Sequence, residues 1–135
     1  MNLKILILED DRINAVSLYY MLKDYGQVIF TYSAPEALEE LLYSKEGGFQ
    51  YDAFLVDIRL TQSWDGFKFK DEVLSLYPEY KNSCFIAQTA YAMNNEKYMI
   101  LSKGFDGYIE KPIIREKLLK TIYECILKKK QNFEK

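Results

Sequence analysis

The sequence predicts an α/β protein built as a doubly wound five-stranded parallel sheet with helices on both faces. Two observations carry that expectation. Short, almost uninterrupted apolar runs alternate with amphipathic stretches five times along the chain, which is the rhythm of βα units around a sheet buried on both sides. At 135 residues the chain also fits one domain with a full core and leaves no room for a second. Residues 1–130 are taken as that domain and 131–135 as a tail. Right-handed crossovers and short connections leave few topologies for such units, and an open sheet of this kind forms its site beyond the C-terminal ends of the strands.

The elements follow in order. Leu3-Lys4-Ile5-Leu6-Ile7-Leu8 is the first strand, ended by Glu9 and Asp10. Ile13, Val16 and Tyr20 recur at helical spacing and mark the first helix, with Gly26 as its stop; residues 28–31 are the second strand. Ser33-Ala34-Pro35-Glu36 is a capping box with proline in the first turn, and Ala37, Leu38, Leu41 and Leu42 supply the buried stripe of the helix it opens. Gly47-Gly48 marks a loop. Ala53-Phe54-Leu55-Val56 is the third strand, ended by Asp57. Asp65-Gly66 precedes a helix that buries Phe69, Val73 and Leu76, and Pro78 follows its end. The fourth strand spans 84–88, a weaker helix lies around 94–102 before Gly104, and the short strand 107–109 leads to Lys111-Pro112. Leu118, Ile122 and Ile126 form the core stripe of the last helix.

Composition removes several functional classes. The chain has no histidine, which excludes a histidine base, a histidine metal ligand and a phosphohistidine of its own. A net charge of -2 gives no general attraction to nucleic acid, and the one basic run, Lys128-Lys129-Lys130, suits a helix end that complements the dipole. Cys84 lies in an apolar run and Cys125 on a helical pattern, which suits two reduced core thiols and a cytoplasmic protein. No cleavable leader is visible and no apolar run approaches the ~20 residues that span a bilayer, so secretion and membrane insertion are disfavoured. The excess of tyrosine is assigned to core and partner surface.

Four strand ends carry polar residues that packing alone does not require: Glu9 and Asp10 after the first, Asp57 after the third, Thr89 after the fourth and Lys111 after the fifth. Three carboxylates at one sheet edge repel one another and call for a hard cation, with Mg²⁺ the usual occupant where few carboxylates are direct ligands. An aspartate can attack a phosphoryl group and form an acyl phosphate if charge is neutralised around it. Lys111 is a compact cation able to pair first with Asp57 and then with a phosphoryl oxygen, and the Thr89 hydroxyl can donate to another. Asp11 is expected to be only a helix-start acid, and Trp64 a loop anchor.

Leu6-Ile7-Leu8-Glu9-Asp10-Asp11, Val56-Asp57, Thr89-Ala90 and Lys111-Pro112 together resemble the receiver domain of two-component response regulators over essentially the whole chain. Each motif is weak alone; four in order at the strand ends are specific. The resemblance implies a flavodoxin-like sheet of order 2-1-3-4-5. It implies Asp57 as phosphoacceptor, Asp10 as a direct Mg²⁺ ligand, Glu9 as a ligand through water, and the Arg59 backbone carbonyl as a further ligand. Thr89 and Lys111 would sense the phosphoryl group, and Tyr108 would swing inward as Thr89 follows it, reshaping the face of helix four, strand five and helix five. The implied partners are a histidine kinase or histidine phosphotransfer protein and a downstream protein on that face, with a phosphorylation-dependent homodimer among the outputs allowed. Such a domain catalyses its own Mg²⁺-dependent phosphorylation and dephosphorylation and is not an enzyme with a separate substrate.

The segment after Asp57 departs from the family pattern. Thr61 stands where a proline is usual, and the stretch to Gly66 is one residue longer, which bears on the path of the Arg59 carbonyl. Arg59 and Tyr91 occupy the positions, two beyond Asp57 and Thr89, where the family tunes attack of water on the acyl phosphate; both are bulky, and slow self-dephosphorylation is expected. The alternative to a phosphorylated switch is a pseudo-receiver that acts as a phosphorylation-independent interaction module. An aspartate-nucleophile phosphohydrolase fits poorly, because it wants a second Asp where Arg59 stands. A flavin-binding flavodoxin also fits poorly, because Glu9-Asp10-Asp11 would repel phosphate.

Overall fold

The structure is a computed structural model that describes residues 2–60, 65–90, 92 and 95–134. Among these, β1 (Leu3–Leu8), α1 (Arg12–Leu22), β2 (Gly26–Thr31), α2 (Ala34–Glu46), β3 (Ala53–Asp57), α3 (Gly66–Leu76), β4 (Cys84–Thr89), α4 (Glu96–Ser102), β5 (Gly107–Glu110) and α5 (Arg115–Glu134) follow one another, with 3-10 turns at Lys23–Tyr25 and Pro78–Asn82. The five strands are parallel in the order β2-β1-β3-β4-β5, as the resemblance implied. Consecutive strand residues point to opposite faces, so β1, β3, β4 and β5 feed two cores, while the edge strand β2 adds Val28 and Phe30 to one of them. Leu6, Leu8, Phe54, Val56, Phe85 and Ala87 meet α2, α3 and α4 on one face. Ile5, Ile7, Leu55, Cys84, Ile86 and Ile109 meet α1 and α5 on the other.

The starts of α1, α2 and α3 are each set by a local acceptor. Asp11 accepts the Asn14 N–H at 3.0 Å, Ser33 that of Glu36 at 3.2 Å and Asp65 that of Lys68 at 2.8 Å, each satisfying a donor the first turn leaves open. Gly66 is required by close approach: a Cβ there would lie 2.6 Å from Ile58 Cα and 2.8 Å from the Asp57 carbonyl oxygen. The absence of a side chain thus lets α3 begin against the backbone that follows β3.

The structure corrects several expectations. Gly26 is not the stop of α1 but the first residue of β2, where a Cβ would meet the Leu3 carbonyl oxygen at 1.9 Å. Ile13, Val16 and Tyr20 mark α1 but lie exposed, while Ala15, Leu18 and Leu22 are its buried residues. Leu42 and Leu76 are half exposed; α2 buries Ser44 and α3 buries Lys70 with its stripe. Lys128-Lys129-Lys130 sits inside α5, which continues to Glu134, so most of the stretch taken as a tail is helical. Lys129 pairs with Asp106 at 3.0 Å and donates to the Lys81 carbonyl at 2.8 Å. The expected start of the fourth helix at Asn94 lies outside the described residues.

Cys84 and Cys125, expected as thiols, form a disulfide across 41 residues of sequence. Cys84 opens β4 on the face covered by α5, and their Cα atoms lie 6.1 Å apart, inside the range a cross-link bridges. Intact mass without reductant should be about 2 Da below the reduced mass. Reduction should lower unfolding stability in urea by up to about 4 kcal/mol; equal midpoints with and without reductant would show that the bridge does not contribute.

Candidate functional site

The site is assembled where the strands end. Glu9 directly follows β1, where its N–H donates to the Thr31 carbonyl at 3.0 Å, and its side chain is buried. Its Oε1 accepts the Asp11 N–H at 3.1 Å, so the cap of α1 also helps orient this acid. Asp57, the last residue of β3, is buried as well. Its Oδ1 accepts the Arg59 N–H at 3.0 Å and its Oδ2 accepts Lys111 Nζ at 3.2 Å. Lys111 is aimed by a backbone bond from its N–H to the Thr89 carbonyl at 2.8 Å, which extends the β4–β5 pairing one residue beyond β5.

Lys111 Nζ also lies 3.1 Å from Glu9 Oε2, so a single ammonium spans two buried carboxylates. Together with half-buried Asp10, Glu9 and Asp57 offer ligand oxygens that all lie within 4.8 Å of one another. The donor set is all carboxylate and crowded against like charge, the chemistry that suits a hard divalent cation such as Mg²⁺. Three acids against one lysine leave negative charge for a cation to neutralise.

The same crowding perturbs protonation. Burial, reinforced by the Asp57 charge and only partly offset by Lys111, raises the Glu9 carboxyl to about 7. Burial acts to lower the Lys111 ammonium, yet Asp57 and Glu9 together raise it. Lys111 therefore stays charged and serves as a fixed cation.

Thr89 ends β4, buried, and its hydroxyl donates to Glu96 Oε1. Arg59 Nε and Nη2 donate to Glu96 Oε2 at 3.1 and 2.6 Å. Tyr108 is half-buried against the core under α2, α3 and α4, on the face that also carries Phe85 and Ala87. Glu9, Asp10, Asp57, Arg59, Thr89 and Lys111 thus gather at one end of the sheet, while Tyr108 lies two residues before the end of β5, opposite Ala87. Thr61, Trp64 and Tyr91, and with them the readings placed on the lengthened segment, lie outside the described residues. Sequence reasoning missed Glu96 and gave the Arg59 side chain no partner. It also passed over Gln88, whose amide on the α1/α5 face is buried with no hydrogen-bond partner for either polar atom among the described residues.

The family profile of the response regulator receiver domain matches residues 5–123, and the chain belongs to that family. It is 29% identical over 123 residues to an uncharacterized 14.6 kDa protein of Leptolyngbya boryana, covering 91% of this chain and 89% of that one. It is 32% identical over 111 residues to hybrid signal transduction histidine kinase G of Dictyostelium discoideum, covering 82% of this chain but 3% of the kinase. The match to sensor protein GacS of Pseudomonas syringae pv. syringae, 26% identical over 125 residues, covers 88% of this chain and 13% of that protein. Among solved structures, a CheY-like receiver domain protein from Methanospirillum hungatei JF-1 superposes with a TM-score of 0.79 at 25% identity, covering 98% and 99% of the two chains. Chemotaxis protein CheY4 of Vibrio cholerae does so at 0.80 and 22%, covering 93% and 99%.

The protonation of Glu9 makes stability depend on pH. The folded protein holds this proton to about pH 7, whereas the ordinary value is 4.5. Between those limits the folded state binds more protons than the unfolded chain, so stability falls as pH rises. In EDTA, urea denaturation should show a loss on the order of 1–3 kcal/mol between pH 5 and pH 7.5, Glu9→Gln should flatten it, and Mg²⁺ should reverse it at the higher pH. A rise in stability over that window would contradict the assignment.

Proposed function

We propose that this receiver domain accepts a phosphoryl group on Asp57 from the phosphohistidine of a histidine kinase or histidine phosphotransfer protein and switches a protein-binding surface in response. The observation that carries the reading is the Lys111 ammonium held between the Asp57 and Glu9 carboxylates beside Asp10. In the transfer the P–N bond of the donor breaks, a P–O bond to an Asp57 oxygen forms, and the released imidazole takes a proton from solvent. Asp57 reacts as a carboxylate and needs no base, consistent with a chain that has no histidine. Bound Mg²⁺, held by Asp10, Asp57, the Arg59 carbonyl and Glu9 through water, would supply charge neutralisation for the phosphoryl oxygens. Lys111 already faces Asp57 Oδ2 and pairs with a phosphoryl oxygen once the bond forms.

On this reading Thr89 follows the phosphoryl group, Tyr108 moves inward behind it, and the face of α4, β5 and α5 presents the change to a downstream protein or a second copy of the chain. The domain acts in the cytoplasm and catalyses its own phosphorylation and dephosphorylation. No helix among the described residues is long and apolar enough to cross a membrane. The interaction-only alternative gains no support from the site, where acids and lysine lie within bonding reach. Incubation with phosphoramidate and Mg²⁺ should add one phosphoryl group, about 80 Da by intact mass. That gain should vanish in Asp57→Asn and in EDTA; a native chain that gains nothing would overturn the reading.

The exposed stripe of α1 suits the donor. Ile13 is 81% exposed and Tyr20 63%, with Val16 between them, on the helix that begins beside Glu9 and Asp10. Apolar residues left in water next to a reacting centre suit the helical surface of a phosphohistidine protein. Ile13→Asp should slow transfer from such a protein about tenfold and leave labelling by phosphoramidate unchanged. Equal slowing with both donors would place the defect at the chemistry.

A further inference from the structure

Glu96 is only 4% exposed, although it opens α4 and glutamate at a helix start is ordinarily solvated. Its two carboxylate oxygens are divided between two partners. Oε1 takes the Thr89 hydroxyl proton, and Oε2 takes two donors of the Arg59 guanidinium. A carboxylate withdrawn from water this far is tolerated only while such partners hold it.

Both partners belong to the strand ends that flank Asp57. Arg59 lies two residues beyond it, and its own N–H binds Asp57 Oδ1. Thr89 ends the neighbouring strand, and its carbonyl accepts from Lys111, the residue that pairs with Asp57 Oδ2. A threonine hydroxyl has one proton to donate, and in this structure Glu96 holds it. A phosphoryl group on Asp57 would bring about two negative charges and three strong acceptor oxygens, against the single charge of Glu96.

We propose that Glu96 is a latch on the resting state, competing with the phosphoryl group for the Thr89 hydroxyl and the Arg59 guanidinium. The inference rests on Asp57 being the phosphoacceptor and adds the element that opposes its activation. When Thr89 turns to the phosphoryl group and Arg59 is drawn by its charge, Glu96 is left buried, unpaired and close to a dianion. It then has to reach water. Because Glu96 belongs to the first turn of α4, that turn moves with it, which converts the exchange of one hydrogen bond into a displacement of the helix. Glu96 acts through Thr89 and Arg59, so it is a positioning residue.

The test compares the native chain with Glu96→Gln and Glu96→Ala in Mg²⁺, reading the affinity for beryllofluoride, a phosphoryl mimic, and the rate of labelling by phosphoramidate. The glutamine keeps the shape and loses the charge, so it tests the latch even if the alanine variant folds poorly. Both variants should bind beryllofluoride about tenfold more tightly than the native chain and take label faster. A residue that merely supports the fold would not produce tighter binding when replaced. If the native chain responds to both reagents but the variants bind no more tightly, the latch is overturned and the phosphoacceptor stands. If the native chain responds to neither reagent, the phosphoacceptor reading falls and the latch with it.

Discussion

Three carboxylates converge where the buried strands run out of partners, and the ammonium of Lys111 is set between two of them. The parallel register of β1, β3 and β4 brings these ends level, and backbone bonds fix the direction of each side chain: Glu9 through Thr31, Lys111 through Thr89. The core serves this edge. Near-continuous apolar strands, covered on both faces, hold their ends rigidly enough for like charges to be kept within a few ångströms of one another.

Polar contacts also tie this edge of the sheet to α4. Asp57 binds the Arg59 backbone, the Arg59 side chain binds Glu96, and Glu96 belongs to α4. On the other side, Asp57 binds Lys111, whose backbone hangs on Thr89, whose hydroxyl returns to Glu96. These contacts form a closed circuit of polar groups at the top of β3, β4 and β5. On the proposed function, a change of charge at Asp57 would act on both branches at once, and Glu96 is where they rejoin.

Much of this arrangement was legible in the sequence because it is local. An acid that ends an apolar run lies at a strand end, and Ser33 and Asp65 announce helix starts by spacing alone. What was missed depends on contacts between elements. α1 has apolar residues at helical spacing on more than one face, and the pattern does not say whether Ile13, Val16 and Tyr20 or Ala15, Leu18 and Leu22 meet the sheet. The pairing of Cys84 with Cys125 depends on how α5 lies across β4. Glu96 reads as an ordinary helix-start acid; its burial follows from Arg59 and Thr89, 37 and 7 residues away.

The cross-link sits at the opposite end of the sheet from the acids, since Cys84 opens β4 while Thr89 closes it. Lys129 adds bonds to Asp106 and Lys81 further along the same helix. α5 is therefore anchored at both ends: Arg115, in its first turn, donates to the Met21 carbonyl and the Tyr25 hydroxyl, both at 3.2 Å, while Cys125 and Lys129 hold its C-terminal half. It is a strut braced at both ends: motion arising at the acids would be taken up by α4 and β5, and any partner that grips α5 would hold a fixed rail beside the part that moves.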